Sequence, residues 1–289
     1  MIETIEKAKD LEELSHFLSE MNKQKSSNIG YCGEKVEEIY ETLKEYFVSD
    51  DGDINFFVTR NNTGKIVAAI GLDIDDSSAE VWGPFNQNSS VELQRQLWEQ
   101  LVTNNPTVQT FSFFINEENI GQQAFMNELK AKKTGEHLIL NLLEQDFNRV
   151  SEIKSTQFTH IDFQPFEKLH NETFPGTYYD AKTITERLSD ENILKVLNTE
   201  SNELLGYAYF EVDTEMAEAS LEYISISKKA QNQGLGTKLL KEVLTEMFSY
   251  SQIKEIKLCV DNTNCPANHV YIKAGFKPKD ILVSYLLKV

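Results

Sequence analysis

Leu221-Glu222-Tyr223-Ile224-Ser225-Ile226 is followed, after four intervening residues, by Gln231-Asn232-Gln233-Gly234-Leu235-Gly236-Thr237. The first run is β-branched and aromatic, which predicts a strand. After the second, Leu235, Leu239, Leu240, Val243, Leu244, Met247 and Phe248 recur at steps of three and four, which predicts a helix with one apolar face. A glycine turn from strand to helix leaves the first helical N–H groups unpaired, with the positive end of the helix dipole behind them. Such a turn cradles a phosphate, and Gly234 and Gly236 let the backbone approach it where a β-carbon would collide. The spacing is not that of the P-loop, and a single G-x-G lacks the third glycine of a dinucleotide fingerprint.

A second block lies downstream: Asn264-Cys265-Pro266-Ala267-Asn268-His269-Val270-Tyr271-Ile272-Lys273-Ala274-Gly275-Phe276. Ile253 to Val260 before it and Ile281 to Val289 after it suit strands. Gln231, Gly234 and Gly236 resemble the pyrophosphate loop of the GNAT family of acyl-CoA-dependent N-acetyltransferases. The second block resembles that family's later motif, an Asn, an Ala, an apolar-Tyr pair and Gly-Phe. The resemblance covers about residues 155–289.

The resemblance implies acetyl-CoA as acyl donor, with no metal, and a small-molecule or peptide amine as acceptor. It implies that Ile224, Ser225 and Ile226 pair with the pantetheine arm, the Ile226 N–H polarising the thioester carbonyl. Gln231, Asn232, Gln233, Gly234, Leu235, Gly236 and Thr237 then hold the pyrophosphate, and Asn264 bonds the cofactor or caps the next helix. Attack by an amine on a thioester calls for a base and for an acid to protonate the leaving thiolate. Tyr271 is the expected acid. Glu222 is the expected base, placed by strand alternation on the side of Ile224 and Ile226, with Glu218 as fallback. The segment His170 to Tyr179 looks like the family's variable acceptor loop, which makes Glu172, Tyr178 and Tyr179 the expected acceptor contacts. Two other readings stay open: a non-catalytic acyl-CoA-binding sensor, and a pseudo-enzyme acting as an interaction scaffold.

Composition fits the resemblance. The chain holds 46 acidic and 28 basic residues in 289, a formal charge of −18, which argues against nucleic acid and anionic membrane surfaces as partners. Lys228, Lys229 and Lys238 flank the glycine loop and offer local positive charge. Cys32, Cys259 and Cys265 are scattered, so no disulfide framework or zinc site is indicated; Cys259, in an apolar run, reads as a core residue. The first residues lack a basic region and an apolar signal core, and no run has the roughly 18 apolar residues of a membrane span, so a cytoplasmic protein is expected. Oligomeric state, monomer or homodimer, is open.

The first half repeats the second in outline. Helical spacing links Ile5, Leu11, Leu14, Phe17, Leu18 and Met21, then Val36, Ile39, Tyr40, Leu43 and Phe47. Ile54–Thr59 and Ile66–Ile74 flank the turn Asn61-Asn62-Thr63-Gly64 as a hairpin, which Ile193–Leu197 and Leu205–Val212 mirror. A shift of about 145 residues brings Asn119 onto Asn264 and Ile115 onto Val260, the signature of a tandem duplication. The chemistry is missing from the first copy. After Trp82-Gly83-Pro84-Phe85, the loop Asn86-Gln87-Asn88-Ser89-Ser90 has no glycine, and Tyr271 is matched by Met126 or Phe125. The expected architecture is therefore mixed α/β, two GNAT-like domains, each a twisted, mostly antiparallel sheet flanked by helices. Residues 1–150 are expected to be degenerate and 151–289 catalytic.

Overall fold

The structure, a computed structural model, describes residues 4–49, 51–88 and 90–289; of the first-half loop, Ser89 lies outside the described residues. The chain forms two compact units, one of residues 1–137 with 280–289 and the other of residues 138–279. The order of elements is β1 (Ile5–Lys7), α1 (Leu11–Asn22), α2 (Val36–Tyr46), β2 (Phe56–Arg60), β3 (Ile66–Asp75), β4 (Ser78–Asn86), α3 (Val91–Asn104), β5 (Thr110–Asn116), α4 (Ile120–Leu129) and β6 (Lys132–Leu143). It continues with β7 (Thr156–Gln157), α5 (Phe163–Thr173), α6 (Ala181–Glu186), β8 (Asn192–Asn198), β9 (Leu204–Asp213), β10 (Glu218–Ile226), α7 (Leu235–Met247), β11 (Glu255–Asp261), α8 (Cys265–Ala274) and β12 (Lys277–Lys288).

In the first unit β1, β2, β3 and β4 form an antiparallel ladder, and β4 pairs in parallel with β5 over Ser78–Glu80. Strand alternation divides the apolar side chains between the two faces of this sheet. Leu97, Leu101, Phe111, Phe113 and Met126 build the core on one face, while Leu14, Leu18, Ile39, Leu43 and Phe47 from α1 and α2 build it on the other. Ile5, read as helical, is in β1 opposite Thr59, because an extended chain there satisfies the edge of β2.

The division of the chain differs from a cut at residue 150. β12, last in sequence, pairs antiparallel with β5 from Leu282↔Asn116 to Lys288↔Thr110, so residues 280–289 complete the first unit. Residues 138–143 of β6 belong to the second unit, where β6 neighbours β11 and the Glu144 N–H donates to the Lys254 carbonyl at 2.9 Å. The first unit thus takes most of β12, and the second takes the latter half of β6. Ladder hydrogen bonds, not position along the chain, set the boundary.

The second unit has a four-stranded sheet in the order β10-β9-β8-β7. Leu239, Leu240, Val243, Leu244 and Met247 of α7 pack on one of its faces with Phe210 and Ala208. On the other face lie Phe166 and Leu169 of α5 and Ile184 of α6, with Tyr207, Tyr209 and Tyr223 from the strands. The periodicity of residues 235–248 predicts α7 well, since its apolar face is what the sheet covers.

Candidate active site

β10 is the edge strand of its sheet and is not joined to β11, its neighbour in the second unit. Its hydrogen-bonding pattern follows from one bond. The Ser227 N–H donates to the Leu205 carbonyl at 2.8 Å, and the register continues as Ile226↔Gly206, Ser225↔Tyr207 and Ile224↔Ala208. Antiparallel partners alternate between bonded and non-bonded pairs, so Ser225 bonds to β9 while Ile224 and Ile226 turn their N–H and C=O groups toward the open edge. The Ile226 carbonyl accepts from the Gln231 side-chain amide at 3.0 Å. Both N–H groups and the Ile224 carbonyl remain for an added amide chain. Of the expected pantetheine contacts, Ser225 is the exception: its backbone faces β9, and its buried hydroxyl is 2.9 Å from that of Thr173.

The open edge runs into the glycine loop. After a 3₁₀ turn at Lys228–Ala230, Asn232 and Gly234 adopt left-handed backbone with φ of 60° and 76°. Gly234 is the N-cap of α7 and supplies no side-chain bond, so the first amides of the helix, through Thr237, have no cap. A β-carbon on Gly234 would meet nothing within 4 Å, whereas one on Gly236 would lie 3.6 Å from both Ile226 and Val270. Loop, strand edge and α8 therefore meet at one place. Gln233 bonds back to the Lys229 carbonyl at 3.2 Å, which braces the loop. Lys229 forms an ion pair with Glu203; Lys228 and Lys238 are exposed beside the loop.

Asn264 is the N-cap of α8, its side-chain oxygen accepting from the Ala267 N–H at 3.2 Å. Tyr271, two turns on, is half-buried in the α7 core and meets Phe276 edge-on at 6.0 Å. Among the described residues no group bonds its hydroxyl, and burial pushes the phenol above its ordinary range. It stays protonated at neutral pH, as an acid must.

Residues 156–276 match the model of the acetyltransferase (GNAT) family. This segment belongs to the GNAT family. A GCN5-related N-acetyltransferase from Sphaerobacter thermophilus is similar in structure with a TM-score of 0.75 at 13% identity, over 99% of this chain and 95% of that one. A tandem GNAT protein from the clavulanic acid biosynthesis pathway gives 0.65 at 14%, over 99% and 98%. A GNAT-family acetyltransferase from Colwellia psychrerythraea gives 0.57 at 14%, over 99% and 100%. At these identities the likeness is one of fold, and it runs through both units of the chain. Both units are mixed α/β, and the whole has the tandem GNAT architecture.

One placement within the GNAT segment corrects the sequence reading. Leu221 faces Phe210 and Tyr223 faces Tyr209, so Glu222 is the extra residue of a β-bulge. Alternation breaks there. The exposed Glu222 carboxylate accepts from the Ser220 hydroxyl, and Ser220 lies opposite Glu211 on the Tyr209 and Tyr223 face. Glu222 is thus on the side of α5 and α6, whereas Ile224 and Ile226 pack toward α7. A period-two count cannot detect an inserted residue, and β10 has no glycine to signal one.

The loop between α5 and α6 holds Tyr178 and Tyr179, with ring centroids 4.7 Å apart; Tyr178 is 88% exposed. Arg187 lies 4.5 Å above the Tyr179 ring and reaches both carboxylate oxygens of Glu211 at 3.0 and 3.2 Å. Glu172, on α5, is exposed and not drawn into this cluster. Arg187, Glu211 and Tyr223 were not legible as site residues, since their partners lie 8 to 46 positions away. Cys259 is exposed on β11 rather than in the core, because Ile256 and Val260 take the inward positions of that strand. Burial of its sulfur still raises the thiol to about 11. Among the described residues no group of three or more His, Cys, Asp or Glu side chains is arranged to hold a metal ion, and no helix is long and apolar enough to cross a membrane.

Proposed function

We propose that residues 151–289 carry an acetyl-CoA-dependent N-acetyltransferase that moves an acetyl group to a primary amine of a small molecule or peptide, by direct attack in a ternary complex. The observation that carries this reading is the open edge of β10, where the outward amides of Ile224 and Ile226 lead directly into the uncapped start of α7. The amide-bearing arm of coenzyme A pairs with that edge, and the pyrophosphate takes the free N–H groups from Gly234 through Thr237. Gln231 and Gln233 brace the loop through the Ile226 and Lys229 carbonyls, Asn232 turns it with left-handed backbone, and Asn264 caps α8 beside it.

The Ile226 N–H meets the thioester oxygen, where negative charge develops as the tetrahedral intermediate forms. Glu222, directly or through a water, takes a proton from the attacking amine. Its place on the bulge supports this role, since it puts the carboxylate on the face of the Tyr178 and Tyr179 loop rather than behind the thioester. Tyr271 donates a proton to the departing thiolate, supported by its half-buried phenol, whose hydroxyl no group among the described residues bonds. Tyr178 and Tyr179 form the acceptor wall, with Glu172 at its outer rim.

The first unit is proposed to bind no acyl-CoA. Calorimetric titration of acetyl-CoA into the whole chain tests both statements and should give one saturable site. Two sites overturn the reading of the first unit, and no binding overturns the acetyltransferase reading itself.

A further inference from the structure

Tyr179 is held by four groups at once, although it sits on a surface loop. Its carbonyl accepts from His170 Nε2–H at 2.9 Å, and its N–H donates to the Tyr223 hydroxyl at 3.2 Å. Its ring lies under Arg187 and against Tyr178. A carbonyl only accepts, which fixes the proton of His170 on Nε2 and makes Nδ1 an acceptor for the Tyr207 hydroxyl at 2.6 Å. His170 and Tyr207 are both fully buried.

Tyr223 makes a second bond into the same loop, 2.8 Å to the Thr177 hydroxyl. Its ring is wedged edge-on between His170 at 4.9 Å and Phe174 at 5.1 Å. A phenylalanine would fill that space. A buried hydroxyl is costly unless it is bonded, and both bonds of this one go to residues 177 and 179, on either side of the exposed Tyr178. Gly176 turns the loop at φ 71° with open space around it, so the bonds to Tyr223, not packing at the turn, hold the chain there.

Tyr223 also lies in β10 between the bulge residue Glu222 and Ile224, whose backbone opens toward the free edge. One residue therefore ties the strand that meets the donor to the loop that meets the acceptor. We propose that Tyr223 is a positioning residue: through its bonds to Thr177 and Tyr179 it fixes the 174–180 loop against β10, so that the Tyr178 and Tyr179 wall presents the acceptor amine at a constant distance from the thioester. His170, oriented by Tyr207, holds the next peptide along through the Tyr179 carbonyl. The proposal rests on the acetyltransferase reading and adds the group that sets acceptor geometry, where reactivity is most sensitive to displacement.

The test is Tyr223→Phe, which removes the oxygen and keeps the ring. Amide exchange read by mass spectrometry should become about tenfold faster over residues 174–180, the worth of one buried hydrogen bond, with α5 unchanged. Acetyl transfer is then measured with 1,4-diaminobutane, glucosamine and a peptide beginning with alanine, and the amine turned over best is carried forward. kcat should fall about tenfold, with or without a rise in the acceptor KM, while the acetyl-CoA KM stays within about twofold. Tyr207→Phe, which frees the His170 ring, should move the same parameters in the same direction by less. Unchanged exchange in Tyr223→Phe overturns the proposal, and so does a uniform fall in which kcat and both KM values move together, the mark of general destabilisation. Failure of the underlying reading is seen separately, as absence of acetyl-CoA binding by the unaltered protein, and removes the positioning role with it.

Discussion

The connection from β4 into α3 and the connection from β10 into α7 hold matching places in the two repeats and treat their polar groups in opposite ways. In both, the residue after the strand donates back across the ladder, Gln87 to Val67 at 3.0 Å and Ser227 to Leu205 at 2.8 Å. This aligns Asn86 with Ile226 and Pro84 with Ile224 as the residues that face outward. At Ile224 the strand offers an N–H and a carbonyl. Pro84 has no N–H, and its carbonyl is taken by the buried side chain of Gln122 at 3.0 Å. The Asn86 side chain bridges the turn, donating to the Ser90 carbonyl at 2.9 Å and accepting from the Asn88 N–H at 3.0 Å. Ser90 then caps α3 through the Leu93 N–H at 3.2 Å, whereas Gly234 leaves α7 uncapped. The second helix of the pair is built alike in the two units, with Asn119 capping α4 and Asn264 capping α8, each with a 3.2 Å bond to the third residue on. Met126 then falls where Tyr271 falls, but fully buried. On the proposed function, the ligand site is a set of unspent backbone groups, and losing it takes only side chains that spend them.

Four substitutions probe this contrast. Tyr271→Phe should lower kcat about 10³-fold with acetyl-CoA affinity nearly unchanged, the range for loss of a general acid. Because burial raises the Tyr271 phenol above its ordinary value of about 10, any alkaline limb of the pH profile that belongs to it lies above pH 10, and this limb should vanish in the variant. Met126→Ala, at the matching place in the first unit, should leave kinetics alone but reduce stability to denaturant by about 3 kcal/mol, the cost of a core cavity. Equal kinetic effects at the two positions would erase the distinction between the units.

Gly234→Asp should weaken acetyl-CoA by about 100-fold in calorimetry, because a carboxylate placed at the cradle repels phosphate and competes for the N–H groups. Aspartate tolerates the left-handed backbone better than most residues, which limits the cost to the fold. Unchanged affinity would mean that the pyrophosphate lies elsewhere. The smallest effect is Ser90→Ala, expected to destabilise by about 1 kcal/mol as a lost N-cap without creating a second acetyl-CoA site, since Pro84 and Gln122 still close the strand edge.

Much of this was readable before any coordinates. Gly234 and Gly236 between a strand pattern and a helix pattern, Asn264 ahead of Tyr271, and the offset that carries Asn119 onto Asn264 are local features, and local features are written in consecutive residues. The reading broke where one residue changed the count or a partner came from far along the chain. The bulge at Glu222 reversed the face on which that carboxylate stands.

By itself the sequence determined the repeated α/β pattern, the helices that flank the glycine loop and the residue types available for acyl transfer, because periodicity, capping and backbone freedom depend on near neighbours. Only the tertiary structure decided that residues 138–143 of β6 and 280–288 of β12 join the units of the opposite repeats, that Ile224 and Ile226 rather than Ser225 face the open edge, and that Tyr179 is pinned by His170, Tyr223 and Arg187. Ladder register and buried hydrogen bonds join residues distant in the chain, and their geometry is fixed when the strands and helices pack.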